Sequence, residues 1–399
     1  MTITNIKNLI KLTIFCNLII LNKKLKVYPF YIHPFYLTNN KPILSLNSNL
    51  KETLIKGEAY LDKCIDLSNT SDYFKSIGLP KVSIIIPLYN CEKTIESAIH
   101  SVQYQNMTQI EINLVNDFST DNTLKLINNI QKFDHRIRIV NNHKNMGTLY
   151  SRSIGVLISR GEYIFNLDND DLYFDNNLVD FIFYKAKTQN LDIVHFRTII
   201  IHNYTVEIER MTDIFTIQYQ NEFYLEQPEL SLWMIKYKDR YVVHNNMIWD
   251  KSIKTSIYKN AVNLMSFNRY SKFVSWAEDT SINFIIMNIA NNFKYFDKYG
   301  IVHYKGRNTA SNTQSINTKI YGEIFFLDIL YDFSQNNTKV KNHIICQIFY
   351  IYKRYKFYSF NSGANCIYLK SVLYKIINCK YINKLNIRKI KKIFISFFM

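Results

Sequence analysis

The sequence is poor in the residues that mark fibrous, disordered or disulfide-linked proteins. Its 399 residues include nine glycines and six prolines, and 47% are hydrophobic, which excludes collagen, mucin-like stalks and a predominantly disordered chain. The six cysteines are far apart and form no CxxC pair, so neither a zinc ribbon nor a dense disulfide framework is indicated. We expect reduced, buried thiols and a chain that folds into two or three structural units.

Basic residues outnumber acidic residues in this sequence. The chain has 49 Lys and Arg against 32 Asp and Glu, a formal net charge of +17, which is typical of proteins that bind nucleic acid, membranes or anionic small molecules. Lysine is spread along the whole sequence, however, with neither an Arg-rich arm nor the glycine and aromatic pattern of an RNA-binding sheet. We therefore expect no nucleic-acid partner.

Both ends carry segments that a membrane could attract. Residues 9–21 are largely apolar but shorter than the roughly 20 residues needed to span a bilayer, so a weak signal anchor, an amphipathic or core helix and a cleaved signal all stay open. The tail at 388–399 joins basic residues to an aromatic end, which would allow peripheral membrane contact. A helix that packs Ile and Phe inward explains the tail equally well. The location stays open between cytoplasmic and membrane-associated.

Strand and helix patterns alternate from residue 82 to residue 196. A β-branched run at 82–86 predicts a strand buried on both faces, and apolar residues at i, i+3, i+4 and i+7 from Ile95 predict a helix. This alternation is typical of an α/β fold with an open, mostly parallel sheet flanked by helices. We expect Gly161 to end one helix at a C′ position. The further predicted strands are 110–115, 137–140, 163–167 and 193–196, and the further predicted helices are about 124–130, 149–159 and 178–187.

Paired carboxylates follow the predicted strand at 163–167. In an extended chain residues i and i+2 point the same way, so Asp168 and Asp170 should present two carboxylates at the carboxyl edge of the sheet, where ligands of open α/β sheets bind. Two hard oxygen ligands with open positions suit Mn²⁺ or Mg²⁺ that bridges a diphosphate. An isolated Asp-x-Asp is more often a solvated turn or a helix cap.

Other polar residues are predicted at the same edge. Asp117 ends the second strand, where its carboxylate could accept the N3 hydrogen of a uracil-like base or serve as a turn or N-cap residue. Pro87, Tyr89 and Asn90 end the first strand. Several loops should therefore converge on one site.

Five motifs follow one another along the chain: PLYN at 87–90, VNDFSTDNT at 115–123, KNMGTLYSRSIG at 144–155, GEYIFNLDNDD at 161–171 and WAED at 276–279. In this order they resemble the family 2 glycosyltransferases with the GT-A fold, over about residues 81–310. Three positions depart from the family pattern: Asn116 and Phe118, where Asp and Gly are frequent, and Ser153, where Asn is usual. Phe118 implies a different turn beside the nucleotide.

The resemblance implies a nucleotide-sugar site with Mn²⁺ or Mg²⁺ as cofactor. It assigns Asp168 and Asp170 to the metal and Asp117 to the nucleobase. The donor-binding residues that it implies are Pro87, Tyr89, Asn90, Asp117, Arg152 and Asp168, with Arg152 near the diphosphate.

The downstream pair Glu278 and Asp279 resembles the acidic pair of the family, in which Asp279 aligns with the proposed catalytic base. An acceptor hydroxyl must lose its proton as it attacks the anomeric carbon, and a positioned carboxylate can take it. A cation can neutralise the leaving diphosphate, so one in-line displacement with inversion is implied. An acidic pair would also suit a helix N-terminus.

Four further residues have two interpretations each. His303 could be a third metal ligand, Trp276 could stack on a sugar, and Trp249 and Lys251 resemble an acceptor-domain segment. Structural packing explains each of the four as well.

The predicted function is a metal-dependent inverting glycosyltransferase that uses a nucleotide sugar, expected to be UDP-linked, and a glycan, lipid-linked or protein acceptor. A nucleotidyltransferase is an alternative, although 87–95 lacks the glycines of a phosphate loop. The second alternative is a non-catalytic nucleotide-sugar or glycan-binding relative. The predicted division is a lead-in at 1–80, a glycosyltransferase domain at 81–310 (donor part 81–200, acceptor part 200–310) and a helical region at 311–399.

Overall fold

A computed structural model gives the fold. It describes residues 44–45, 78–202, 205–207, 223–226, 234–237, 240–243, 247–265, 273–305 and 315–336, with isolated positions between 344 and 376. The predictions for the apolar segment at 9–21 and for the tail at 388–399 lie outside the described residues, as does nearly all of the lead-in.

Thirteen strands are present in the described part of the chain. They are β1 (Leu44–Ser45), β2 (Val82–Leu88), β3 (Ile110–Asn116), β4 (Ile137–Asn141), β5 (Tyr163–Asn166), β6 (Leu172–Tyr173), β7 (Ile193–His202), β8 (Thr205–Glu207), β9 (Phe223–Glu226), β10 (Met234–Tyr237), β11 (Arg240–Val243), β12 (Lys251–Lys254) and β13 (Asn292–Lys305).

Seven helices accompany these strands in the same part of the chain. They are α1 (Ile95–Gln103), α2 (Thr123–Gln131), α3 (Thr148–Ile158), α4 (Leu178–Thr188), α5 (Thr255–Leu264), α6 (Glu278–Ile289) and α7 (Ile316–Asn336).

Eleven strands form one sheet, in the order β1-β4-β3-β2-β5-β12-β7-β13-β6, with β8 beside β7 and β9 beside β13; β10 and β11 pair separately. The half from β1 to β5 is parallel throughout, as predicted. The other half is mixed, because β12 runs antiparallel to both β5 and β7 and β13 runs parallel to β7 but antiparallel to β6.

Helices cover both faces of the sheet because β2 is apolar on both. Ile84 and Ile86 pack into one core with α1 and α4, while Ile85 packs into a second core with α3, α5, α6 and α7. The predicted spacing in α1 is confirmed, since its buried residues are Ile95, Ala98, Ile99 and Val102.

Gly161 does not have the predicted role. The helix α3 ends at Ile158, Ser159 is extended, and Gly161 is not among the described glycines with positive φ, so it is no left-handed C′ cap. A Cβ at Gly161 would lie 2.5 Å from the backbone nitrogen of Ser83 and 2.6 Å from the carbonyl carbon of Val82. Glycine is needed here because the chain passes against β2 on its way into β5.

The helix α7 packs into the same core as α3 and α6, through residues that include Ile324 and Leu327. The described residues beyond 336 are all helical, and the buried apolar residues among them join this core. The boundary at 310 stays a prediction. In the portion of the chain that the structure describes, no helix has the length and apolar character needed to cross a bilayer. Cys91 is reduced and buried as expected, and the other five cysteines lie outside the described residues.

Candidate active site

Asp117 lies at the carboxyl edge, directly after β3, with its carboxylate bound by its own chain. Its Oδ1 accepts hydrogen bonds from Asn142 Nδ2 (2.7 Å) and the backbone N–H of Met146 (2.8 Å), and its Oδ2 accepts one from the backbone N–H of Gly147 (2.8 Å). Burial raises the pKa of Asp117, although these hydrogen bonds oppose the rise. Asp117 therefore fastens the loop before α3 to the sheet edge, and its role toward a nucleobase stays a prediction.

Gly147 is required at the start of α3. Its φ is +89°, and a Cβ there would lie 2.8 Å from the carbonyl oxygen of Val274. The backbone N–H of Leu149 donates to that same carbonyl (3.1 Å). The segment before α6 is thus pressed against the first turn of α3, which brings the downstream acidic pair to this edge.

Asp168 and Asp170 meet in a turn rather than on an extended strand. The strand β5 ends at Asn166, and the backbone N–H of Asp171 donates to the carbonyl of Asp168 (3.1 Å), so the alternation assumed from the sequence does not apply. The carboxylates are nevertheless close neighbours: burial and then the charges of Asp171 and Asp168 raise the pKa of Asp170 to about 7. The turn therefore holds a carboxylate pair under repulsion.

Arg152 joins the two acidic parts of the site. It lies on α3 with its side chain 3% exposed; its Nη2 donates to Asp168 Oδ1 (3.1 Å), and its Nη1 lies 3.3 Å from Asp279 Oδ1. Burial alone would lower the pKa of Arg152, but Asp279 and Asp168 outweigh it and raise the pKa. The Nε and Nη1 of Arg152 and the Oδ1 of Asp279 are buried without a hydrogen-bond partner, so this ion pair has polar groups still unsatisfied.

Glu278 and Asp279 form the first turn of α6, as the alternative interpretation of a helix N-terminus also required. They follow Ala277, which has a left-handed φ of +56° and offers no side-chain cap. Burial and then Asp279 raise the pKa of Glu278 to about 8, and burial raises that of Asp279 to about 6, with Arg152 opposing both shifts. Burial therefore disfavours ionisation of both carboxyl groups, and Arg152 favours it.

Asp171 is a site residue that the sequence analysis did not single out. It is fully buried, its carboxylate pairs with His303 Nδ1 (2.8 Å), and it accepts the backbone N–H of Tyr304 (3.1 Å). Burial would lower the pKa of His303, but Asp171 raises it to about 9. The ring of Trp249 stacks on His303 at 5.0 Å. Asp171 belongs to the same run of acidic and amide residues as Asp168 (DNDD at 168–171), and this run was the feature of the sequence that could have indicated it.

Lys251 lies beneath the site in a buried charge network with two residues that sequence reasoning missed. Its side chain is fully buried, and its Nζ donates to the carbonyl of Met247 and to Asp250 Oδ1 (2.8 Å). Asp250 Oδ2 lies 3.2 Å from His195 Nε2. Burial would raise the pKa of Asp250, but Lys251 and His195 hold it well below its usual range. Lys251 also lowers the pKa of Asp279.

Trp276 packs against α7. Its Nε1 donates to Glu323 Oε1 (3.1 Å), and the Nζ of Lys319 lies 4.9 Å from the centre of its ring. Trp249 is 3% exposed. These contacts favour the packing interpretation of both tryptophans.

The loop after β2 is tied to the loop after β3. Asn90 has a φ of +47°, its backbone N–H donates to Ser119 Oγ (3.1 Å), and its Oδ1 accepts the backbone N–H of Thr120 (2.8 Å). Pro87 accepts a hydrogen bond from Asn169 Nδ2 at its carbonyl (3.0 Å), which connects this loop to the DxD turn (residues 168–171). Tyr89 is 48% exposed. The predicted donor-binding residues therefore converge on one edge.

A divalent cation would find two carboxylates here and no closed cage. Within the described ranges, no group of three or more His, Cys, Asp or Glu side chains is arranged to hold a metal. The Asp170 carboxylate has no ion pair of its own in those ranges, and its raised pKa is the electrostatic condition that a bound cation would relieve. This fits Mg²⁺ or Mn²⁺, which are bound through one or two carboxylates with phosphate and water as further ligands.

Comparison with known proteins finds similarity over part of the chain. Residues 83–262 match the family model described as glycosyl transferase family 2. Over 116 residues the chain is 38% identical to the uncharacterized glycosyltransferase EpsJ of Bacillus subtilis (29% of this chain, 33% of EpsJ), and over 113 residues it is 37% identical to the chondroitin synthase of Pasteurella multocida (28% and 12%). The chain thus spans well under half the length of the curated relatives that it matches.

The fold comparison covers a larger share of the chain. The crystal structure of residues 1–349 of S. aureus TarS in complex with UDP-GlcNAc superimposes with a TM-score of 0.58 at 13% identity, over 79% of this chain and 88% of that one. At this identity the match establishes the fold alone. Residues 83–262 are thus similar to the glycosyl transferase family 2 domain, and the described part of the chain has a GT-A-type fold.

Proposed function

We propose that the chain is a metal-dependent inverting glycosyltransferase that moves a sugar from a nucleotide-sugar donor, expected to be UDP-linked, to an acceptor hydroxyl. The observation that supports this proposal best is the Arg152 bridge. One guanidinium group contacts both Asp168 in the DxD turn and Asp279 in the acidic pair. The donor-side carboxylate and the candidate base thus lie within the span of one side chain, as a single displacement requires.

Asp279 is the proposed catalytic base. Its side chain is 17% exposed, although its Oδ1 is buried, and a pKa raised to about 6 would leave it ionised near neutral pH yet basic enough to take a hydroxyl proton. Glu278, with a pKa of about 8, keeps its proton over the same range and can donate a hydrogen bond. The ion pair between Arg152 Nη1 and Asp279 Oδ1 (3.3 Å) favours the ionised form of Asp279.

The donor side is proposed to use Asp168 and Asp170 as ligands of Mn²⁺ or Mg²⁺. When bound, such an ion neutralises the charge that develops on the leaving nucleoside diphosphate. Asp171 and His303 are proposed to hold the DxD turn in place, because their ion pair ties it to β13. Arg152 keeps Asp168 oriented from the opposite side.

A UDP-linked donor is supported by the fold match to TarS, whose structures are in complex with UDP-GlcNAc and with UDP. The sugar class and the acceptor, whether glycan, lipid-linked or protein, are tested by turnover. A location at a membrane surface belongs to the same proposal only if the acceptor is lipid-linked.

The alternative of a non-catalytic nucleotide-sugar or glycan-binding relative required that Asn116 and Phe118 distort the donor site. Asn116 is accommodated: its Nδ2 donates to Asn141 Oδ1 (3.0 Å), and its Oδ1 accepts the backbone N–H of Ser119 (3.2 Å). Nothing in this loop displaces the DxD turn or the acidic pair, which favours an active site. Binding of UDP without turnover or donor hydrolysis would restore the alternative, and incubation with a nucleoside triphosphate plus a sugar phosphate would reveal a nucleotidyltransferase.

The test is calorimetric titration of the full chain with UDP, with and without Mn²⁺, followed by turnover of UDP-sugars. We expect binding that needs Mn²⁺ and is lost in Asp170→Asn, and unchanged binding in the control Asp332→Asn, whose side chain is exposed on α7. Binding that persists without metal and in Asp170→Asn would overturn the metal assignment. Failure to bind UDP, GDP or CDP under either condition would overturn the donor proposal.

A further inference from the structure

Two large aromatic side chains are exposed at the carboxyl edge of the sheet. Phe118 is 50% exposed and Tyr89 is 48% exposed. Neither ring stacks on another aromatic ring in the described part of the chain. About half of each side chain is therefore open to solvent beside the proposed donor site, where a ligand could contact it.

Hydrogen bonds place the two residues opposite each other on adjoining loops. On one side the backbone N–H of Asp117 donates to the carbonyl of Leu88 (2.7 Å), and on the other the backbone N–H of Asn90 donates to Ser119 Oγ (3.1 Å). Phe118 and Tyr89 are the residues enclosed between these two bonds. The backbones of the two aromatic residues are thus held side by side.

Phe118 also carries backbone strain. Its φ is +63°, in the left-handed region that glycine adopts freely and that a bulky residue adopts at a cost. A glycine would fold into this turn more easily and would expose no apolar surface. Strained, exposed residues of this kind persist where a ligand uses them.

The neighbouring carboxylate is already well occupied. Asp117 accepts three hydrogen bonds, from Asn142, Met146 and Gly147, of the roughly four that a carboxylate can accept. Contacts other than that carboxylate can therefore add to the affinity for a planar base at this loop. An aromatic ring supplies such a contact, because every base has a π-face.

We propose that Phe118 is a donor-binding residue whose ring stacks on the base of the nucleotide, beside Tyr89. This inference rests on the proposed function, since it needs a nucleoside diphosphate at this edge. It assigns a use to the residue that departs most from the family pattern in this loop.

The test is titration of the full chain with UDP and Mn²⁺ in three variants. Phe118→Gly and Phe118→Leu should each weaken UDP binding about tenfold, within the range known for loss of one stacked base, and Phe118→Tyr should bind like the parent. The Tm of Phe118→Gly should be no lower than that of the parent, because glycine relieves the strain. Asn190→Gly is the matched control: it relaxes another positive φ (+48°), after α4, and should leave UDP binding unchanged.

Inorganic pyrophosphate with Mn²⁺ separates loss of the ring from damage to the loop, because pyrophosphate has no base. Its affinity should be the same in the parent and in Phe118→Gly. Parent-like UDP binding by Phe118→Gly or Phe118→Leu would overturn the inference, and so would an equal loss of pyrophosphate and UDP binding. If the parent binds pyrophosphate but no nucleotide better than pyrophosphate, the base-binding role is refuted; if it binds neither, the proposed function fails, and this inference with it.

Discussion

Replacing Gly322 by alanine tests how the fold holds the acidic pair. The helix α7 crosses the segment before α6 at this glycine, where a Cβ would lie 2.0 Å from the carbonyl oxygen of Trp276 and 2.7 Å from its carbonyl carbon. Trp276 stands two residues before Glu278, and its indole is tied to α7 through Glu323. The added methyl group would therefore press on the backbone that sets the start of α6.

The size of the effect follows from the contact distances. Ordinary contact begins at 3.4 Å, so the shortfall at Gly322 is about 1.4 Å and backbone must move to supply it. Overpacking of this kind costs about 1–3 kcal/mol. Helix propensity alone acts in the opposite direction, because alanine stabilises a helix interior by about 0.5–1 kcal/mol over glycine. We expect a net loss of about 1–2 kcal/mol in the free energy of unfolding.

Activity should suffer more than stability. A shift on the order of 1 Å at Glu278 and Asp279 would lower kcat/KM about 100-fold, because the base must stay within hydrogen-bonding reach of the acceptor. Urea unfolding measures the loss of stability, and initial rates with the UDP-sugar found by turnover measure the loss of activity. Asn317→Ala, at an exposed position of the same helix, is the control and should change stability by no more than about 0.5 kcal/mol. A Gly322→Ala protein more stable than the parent would show that helix propensity prevails and would refute the close approach.

Three further predictions concern the charges of the site. In the metal-free protein, Asp170→Asn should raise the free energy of unfolding at pH 8 by on the order of 2 kcal/mol and should leave it unchanged at pH 4. Because the pKa of Asp170 in the folded protein is raised to about 7, the parent loses stability as pH rises from about 4 to 7, and the variant does not. Thermal unfolding in EDTA across this range measures the difference, and equal changes in both proteins would contradict the prediction. Lys251→Met should cost about 3–5 kcal/mol in urea unfolding, because it removes the ammonium group that lies 2.8 Å from the buried Asp250 carboxylate, and adding Asp250→Asn should restore part of the loss. Arg152→Gln should move the acidic limb of the kcat/KM profile above pH 6, because Arg152 lowers the pKa of Asp279, and an unmoved limb would speak against Asp279 as the base.

Local pattern was enough to predict the parallel half of the sheet. The run at 82–86 is apolar at successive positions, so it had to be buried on both faces, and the structure extends the strand only to Leu88. The spacing of Ile95, Ala98, Ile99 and Val102 fixed the inward face of α1, and all four are buried. These features depend on neighbours within one turn or one strand, which a single sequence contains.

Features that depend on distant segments could not be read in this way. Gly161 carried a plausible local signal for a helix cap, yet the residue is glycine because Ser83 passes within 3 Å of where its Cβ would stand. Asp168 and Asp170 lie in a turn that the alternation argument did not foresee. No pattern near Arg152 indicates that its partners are 16 and 127 residues away.

The unequal sharing of cations explains why the donor side of the site should depend on metal. Asp168 and Asp279 share the guanidinium of Arg152, and Asp171 has His303, whereas Asp170 has no ion pair of its own in the described part of the chain. Burial and the charges of Asp171 and Asp168 raise the pKa of Asp170 to about 7. A proton and a divalent cation therefore compete for the same carboxylate, and the affinity for Mn²⁺ should fall as pH drops below 7. Nucleotide binding that requires the ion should fall with it, while binding that ignores pH between 5 and 8 would separate Asp170 from the donor.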